Sequence, residues 1–145
     1  MKIVEILQFI IDYVNKYYKI RADGKLKLTF DELNPDKDSI MFALADDNTG
    51  SENVDLTGLF ADGEISIDCY YRIMSNDCGY EDLYSIGIVD DLMYFIKSNY
   101  KSIKSDNFYV SGVDIKSSCK LSTAYQNGAK DFTSKLVIKY GRRIK

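Results

Sequence analysis

Apolar residues return every three or four positions at the start of the chain: Ile3, Leu7, Ile10, Val14 and Tyr17, with Val4, Ile11 and Tyr18 widening the stripe. Side chains at i, i+3, i+4 and i+7 stack on one helix face, so this spacing predicts an amphipathic helix. Lys2, Glu5, Asp12, Asn15, Lys16 and Lys19 fall on the other face. Their mixed sign favours packing on a sheet over lying on an anionic membrane. The helix is expected to end between Lys19 and Gly24, where Asp23-Gly24 supplies turn chemistry.

The period then changes from 3.6 to two. Lys25 to Glu32 alternates through Leu26, Leu28 and Phe30, and Ser39 to Ala45 through Ile40, Phe42 and Leu44, with the turn signal Asn34-Pro35-Asp36 between them. Glu64 to Met74 is the sharpest alternation: Ile65, Ile67, Cys69, Tyr71 and Ile73 on one side, Glu64, Ser66, Asp68 and Arg72 on the other. That pattern predicts a half-buried antiparallel strand.

A second helix is predicted from about Tyr80 to Asn99, with Glu81 and Asp82 in its first turn and Lys97 and Lys101 near its end, as the helix dipole favours. Ile86, Val89, Met93 and Ile96 form its buried stripe. Leu83, Ile88, Leu92 and Phe95 broaden the stripe enough for a second contact beyond the sheet. Gly87 costs roughly 1 kcal/mol relative to alanine in a helix interior and is expected where a neighbour packs closely. Strands follow at Phe108 to Lys116, Leu121 to Tyr125 and Phe132 to Tyr140, the last two joined by the hairpin signal Asn127-Gly128. Phe132, Leu136, Ile138 and Tyr140 are core or interface positions.

The chain therefore reads as one α+β domain over 1–145. Its expected core is an antiparallel or mixed β-sheet of about four to five strands packed against two α-helices, with a long acidic loop. That loop, residues 46–63, holds five acids, three glycines and no base around Leu56, Leu59 and Phe60. Loops so long are uncommon without a role, and this one is expected to be a mobile arm whose apolar centre docks on a neighbouring subunit. Asp46, Asn48 and Glu52 approach calcium-loop spacing. Gly50, Ser51 and Thr57, however, stand where a ligand, the turn glycine and the closing glutamate belong, so no metal is expected.

Composition narrows the function classes. At 145 residues one core can bury roughly 70% of the unfolded surface. Hydrophobic residues at 46%, charged residues at 28% and a single proline exclude a disordered tail, a collagen-like chain and a spanning helix. There is no histidine, so imidazole chemistry is excluded, and neither a Gly-x-Ser-x-Gly elbow nor a phosphate-binding glycine loop is present. The pairs Asp46-Asp47, Glu81-Asp82 and Asp90-Asp91 are sequence neighbours, which point apart on a helix and do not make a shared carboxylate site. The expectation is a non-enzyme with no cofactor. Cys69, Cys78 and Cys119 are too few for a zinc site without histidine and read as small hydrophobes of a reduced protein. Glu5, Gln8 and Asp12 interrupt the first apolar stretch, so it does not read as a secretory signal, and a cytoplasmic place of synthesis and residence is expected.

Net charge is −3, but residues 1–96 hold 19 acids and 8 bases and residues 97–145 hold 3 acids and 11 bases. Two faces of opposite sign would suit head-to-tail contact between copies of one subunit. The twelve tyrosines and the basic end raise nucleic-acid stacking as a rival. Tyr17, Tyr18, Tyr70, Tyr71 and Tyr80 lie in the acidic portion, which favours core and interface packing.

The order of elements resembles the tail terminator family of long-tailed bacteriophages, also described as minor capsid or tail completion proteins. The resemblance is architectural and covers nearly the full chain: the opening helix Val4 to Tyr18, the strand Ile65 to Met74, the helix Asp82 to Asn99, the turn Asn127-Gly128 and the ending Phe132-Thr-Ser-Lys-Leu-Val-Ile-Lys-Tyr-Gly-Arg-Arg. It implies a structural virion protein, assembled in the bacterial host cytoplasm, that forms a hexameric homo-oligomeric ring at the head-proximal end of the tail. Its implied partners are the tail tube protein and the head-tail connector, with passing contact with genomic DNA and none with a membrane. The family has no catalytic residues to carry over. By chemistry alone, Leu56, Leu59 and Phe60 are expected as subunit-interface anchors, with Asp46, Asp47 and Asp55 facing Lys139, Arg142 or Arg143 of a neighbour. Two other readings stand beside this one: a different connector or tail-tube component, and a monomeric α+β domain that binds a ligand or a host protein.

Overall fold

The computed structural model describes residues 2–74 and 79–144. The elements run α1 Ile3–Tyr17, β1 Leu28–Phe30, β2 Ser39–Leu44, β3 Glu52–Val54, β4 Phe60–Ile73, α2 Gly79–Asn99, a 3-10 turn Tyr100–Ser102, β5 Phe108–Ala124 and β6 Lys130–Arg143. Six strands form one mixed sheet in the order β1-β2-β4-β6-β5, with β3 lying beside the start of β4. Among the described residues only β1 and β2 pair in parallel; the other pairings are antiparallel. The protein is thus α+β with two helices on a mixed sheet, and six strands replace the four or five expected.

Burial explains the assembly. On β4, Ile65, Ile67, Cys69, Tyr71 and Ile73 are all buried, and on β6 the matching set is Phe132, Ser134, Leu136, Ile138 and Tyr140. These alternate positions face the helices. Removing one such aliphatic or aromatic side chain from water is worth roughly 1.5–3 kcal/mol. From α1 they meet Ile6, Leu7, Ile10, Ile11 and Val14, and from α2 Ile88, Val89, Leu92, Met93 and Ile96. The two helices touch along an aromatic seam, where Phe95 stacks on Tyr18 with ring centroids 4.5 Å apart and on Tyr13 at 6.1 Å.

Several boundaries depart from the sequence expectation for identifiable reasons. Helix α1 stops at Tyr17 because Tyr18 is extended, its N–H still reaching the Val14 carbonyl at 2.8 Å. Ile6 is buried, while Val4 and Tyr17 of the predicted stripe are exposed. The short strand β1 is sealed on its outer side by Asn15. The Asn15 Nδ2 donates to the Leu28 carbonyl and its Oδ1 accepts from the Leu28 N–H, both at 2.8 Å, so one amide side chain imitates a neighbouring strand. Strand β5 is one 17-residue element, not two. Its register against β6 slips at four places between Val110 and Thr123, and each slip breaks the period-two pattern from which a strand is read.

Gly87, expected to mark a close helix contact, has nothing within 4 Å of where a Cβ would sit among the described residues. Cys78 lies outside the described residues. The other two cysteines, Cys69 and Cys119, are buried free thiols.

Candidate functional site

Within the acidic segment 46–63, expected as a loop, residues 52–63 form a hydrogen-bonded hairpin. Strand β3 pairs with the start of β4 through Glu52↔Gly63, Asn53↔Asp62 and Val54↔Ala61. The turn between them is held by its own polar groups. Asp55 N donates to the Phe60 carbonyl at 2.9 Å, Thr57 Oγ1 donates to Asp55 Oδ1 at 2.7 Å, and Leu59 N donates to Thr57 Oγ1 at 3.2 Å. Gly58 closes the turn at φ +71°, a conformation that glycine adopts without strain. The Thr57 hydrogen bond holds the Asp55 carboxyl below its ordinary range. This geometry presents Leu56 at the tip with a relative exposure of 107%, and Val54, Leu59 and Phe60 are exposed beside it. Several large apolar side chains on one short hairpin are a patch, and patches carry meaning that scattered residues do not.

The hairpin is locked to the sheet at its base. Glu52 accepts from Arg142 twice, at 2.7 Å each, and from Tyr140 Oη at 2.7 Å. The Arg142 guanidinium keeps Glu52 below the usual carboxylate range, against the opposing effect of burial. The end of the chain clamps the other side, with Ile144 N donating to the Leu59 carbonyl and Arg143 N to the Asn107 carbonyl, both at 2.7 Å. On the sheet face away from the helices, the ring of Tyr109 covers Gly141 of β6, its cross-strand partner.

The expected interface residues divide into two groups. Leu56, Leu59 and Phe60 are all exposed on the same hairpin, with Asp55 in its turn. The charged residues named with them mostly have partners in their own chain. Asp47 pairs with Lys135 at 2.9 Å, Lys139 with Asp114 at 3.3 Å, and Arg142 with Glu52. Asp46 is exposed in the turn after β2, and Arg143 is exposed at the end of β6. Four ion pairs among the described residues join the acidic part of the sequence to the basic part: Arg72–Asp131, Lys130–Asp82, Lys135–Asp47 and Arg142–Glu52. The basic strand β6 lies beside the acidic β4, and three of these pairs, Lys130–Asp82, Lys135–Asp47 and Arg142–Glu52, answer part of the charge asymmetry inside the fold.

Two further surfaces carry exposed apolar groups. The outward side of α2 shows Leu83, Tyr84 and Tyr94. Between α1 and the 3-10 turn lies a groove walled by Phe9, Tyr13 and Tyr17 with Lys16 and Lys104 at its rim. The sequence expectation put Tyr17 in the core stripe and Lys16 on the opposite, polar face and did not single out Lys104, since neither periodicity nor charge order tells which side of a half-covered helix stays open.

Among the described residues no group of three or more Cys, Asp or Glu side chains is placed to hold a metal ion. No described helix is long and apolar enough to cross a membrane. Compared with known proteins, the chain matches no protein-family model and no curated protein sequence.

Proposed function

We propose that this chain is a structural virion protein that assembles into a hexameric ring, caps the head-proximal end of a phage tail tube, ends tube polymerisation and offers a docking surface to the head-tail connector. The observation that carries the reading is the hairpin tip, where Leu56 stands wholly exposed on a turn fixed by its own hydrogen bonds. An isolated soluble domain gains nothing by holding an apolar side chain rigidly in water, whereas a subunit that meets another gains a pre-ordered anchor. A ring of identical subunits joins two unlike surfaces of each copy, and closure follows when the rotation between copies divides the circle. The tip supplies one such surface. The exposed apolar groups of α1 and α2 supply candidates for the others, one toward the next copy and one toward the tube or connector. Such a part works by shape and contact alone, with no cofactor and no bond made or broken. Its place is the virion, after assembly in the host cytoplasm, with genomic DNA passing through the ring.

Light scattering on the purified protein tests this directly. A discrete species near six times 16.6 kDa is expected at low salt or at about 0.5 M, where screening shortens the reach of exposed charges. A monomer at both salts and at every concentration reached overturns the ring.

A further inference from the structure

The ring reading leaves open what receives the tip, and two complementary surfaces of this chain answer that. The groove between α1 and the Tyr100–Ser102 turn has a volume of about 310 Å³. Its walls are held in place by ring contacts. Phe9 packs edge-on against Phe108 with centroids 4.9 Å apart, and Tyr13 packs against Tyr17 at 4.8 Å. Tyr17 is nonetheless more than half exposed, so the aromatic surface is open.

Charge gives the second half of the match. Among the described residues Lys16 and Lys104 form no salt bridge, and the Lys16 ammonium rests only over the Tyr17 ring, 5.2 Å from its centroid. Asp12 also lines the groove, where it accepts a hydrogen bond from Gln8 at 2.9 Å, and its carboxylate leaves the two lysines an excess of one positive charge. On the hairpin the position is reversed: Asp55 and Asp62 have no cation among the described residues. One molecule thus carries both an apolar tip on a hairpin of negative charge and an aromatic groove of net positive charge.

We infer that the hairpin tip of one copy docks in the α1 groove of the next, with Leu56 against Tyr13 and Tyr17 and Asp55 against the Lys16 and Lys104 ammoniums. The occupant is a second copy of this chain, since tip and groove are opposite in charge and Leu56, fully exposed, is not seated in the groove of its own molecule. The contact is heterologous, so it repeats from copy to copy in one direction until the ring closes. This placement rests on the ring reading and specifies its interface. It also moves the cationic side of the contact from Arg142, which Glu52 already holds, to the two lysines of the groove.

Cross-linking separates the two claims. In a Cys78→Ser background, Leu56→Cys and Tyr17→Cys are made singly and together and treated with a short bis-maleimide; Cys69 and Cys119 are buried. The double variant is expected to give a ladder of covalent oligomers, and a mixture of the two single variants a dimer that neither gives alone. In the uncross-linked protein, Lys16→Glu with Lys104→Glu is expected to weaken association by about tenfold or more, and Asp55→Lys to recover part of that loss. If particles of ring mass form without a 56–17 cross-link, or if the double lysine variant associates like the parent protein, the docking is overturned while the ring stands. If the chain is monomeric throughout, both fall.

Discussion

The phenol ring of Tyr140 lies across Gly63, its partner on the neighbouring strand, and a Cβ at Gly63 would sit 2.6 Å from Tyr140 Oη and 2.9 Å from its Cζ. The ring cannot easily move aside. It is buried, and its hydroxyl is tied to Glu52 at 2.7 Å. A glycine here has a steric reason: it lets an aromatic ring cover the backbone where three strands meet at the root of the hairpin.

Gly63→Ala is therefore expected to cost about 1–3 kcal/mol, the range for overpacking a filled site, as read from urea denaturation. Gly87→Ala should do the opposite. The site has room and lies within a helix, so a gain of about 0.5–1 kcal/mol is expected. Equal effects at the two positions would mean that the Tyr140 contact is not what constrains Gly63.

Stability should decline on the acid side through Glu52. The hydrogen bond from Arg142 depresses the folded-state value of Glu52 below its ordinary range. A carboxylate depressed on folding contributes stability that is present above its unfolded value, near 4.3, and is lost as pH falls through the lower folded value. Asp131 adds to the same arm. Burial alone would raise it, but the hydrogen bonds from Arg72 and Tyr125 outweigh that and leave it lowered. Denaturation midpoints measured from pH 6 downward should fall, and Glu52→Gln should flatten part of the slope.

Asp131 is also the sharpest test of polar structure on the open sheet face. It is 7% exposed and receives Arg72 through two hydrogen bonds, at 2.7 and 2.9 Å, with Tyr125 Oη adding a third at 2.8 Å. Asp131→Ala leaves a guanidinium and a phenol without their acceptor. A loss of about 2–3 kcal/mol is expected, less than for a fully buried pair because Arg72 retains some solvent. The double variant with Arg72→Ala should cost less than the sum of the single changes, and strict additivity would show that the pair is not coupled.

The buried thiols give a readout of folding that is independent of assembly. Burial pushes the Cys119 thiol up to about 12, with Asp90 adding to the shift, and burial raises Cys69 as well. Thiols that stay protonated and enclosed react slowly. In a Cys78→Ser variant a thiol reagent at pH 8 should label neither residue in the folded protein and both after unfolding; fast labelling of the native protein would contradict the core described here.

By itself the sequence determined the class of fold and most of its elements. Helix α1 and strands β2, β4 and β6 were legible because each has one face buried along most of its length, and such burial leaves a clear period of 3.6 or two. The apolar centre of residues 46–63 was legible for the converse reason, since Leu56, Leu59 and Phe60 have no periodic partner that would bury them. Strand β3, the continuity of β5 and the partners of the charges were decided only by the tertiary structure. Three residues of strand carry too little pattern to be read, and bulges erase the alternation of a longer one. Glu52 and Arg142 are 90 residues apart and meet only because β4 and β6 lie side by side. The same holds for the groove on α1: the helix pattern fixes which residues can share a face, but only packing decides which part of that face the rest of the chain leaves open.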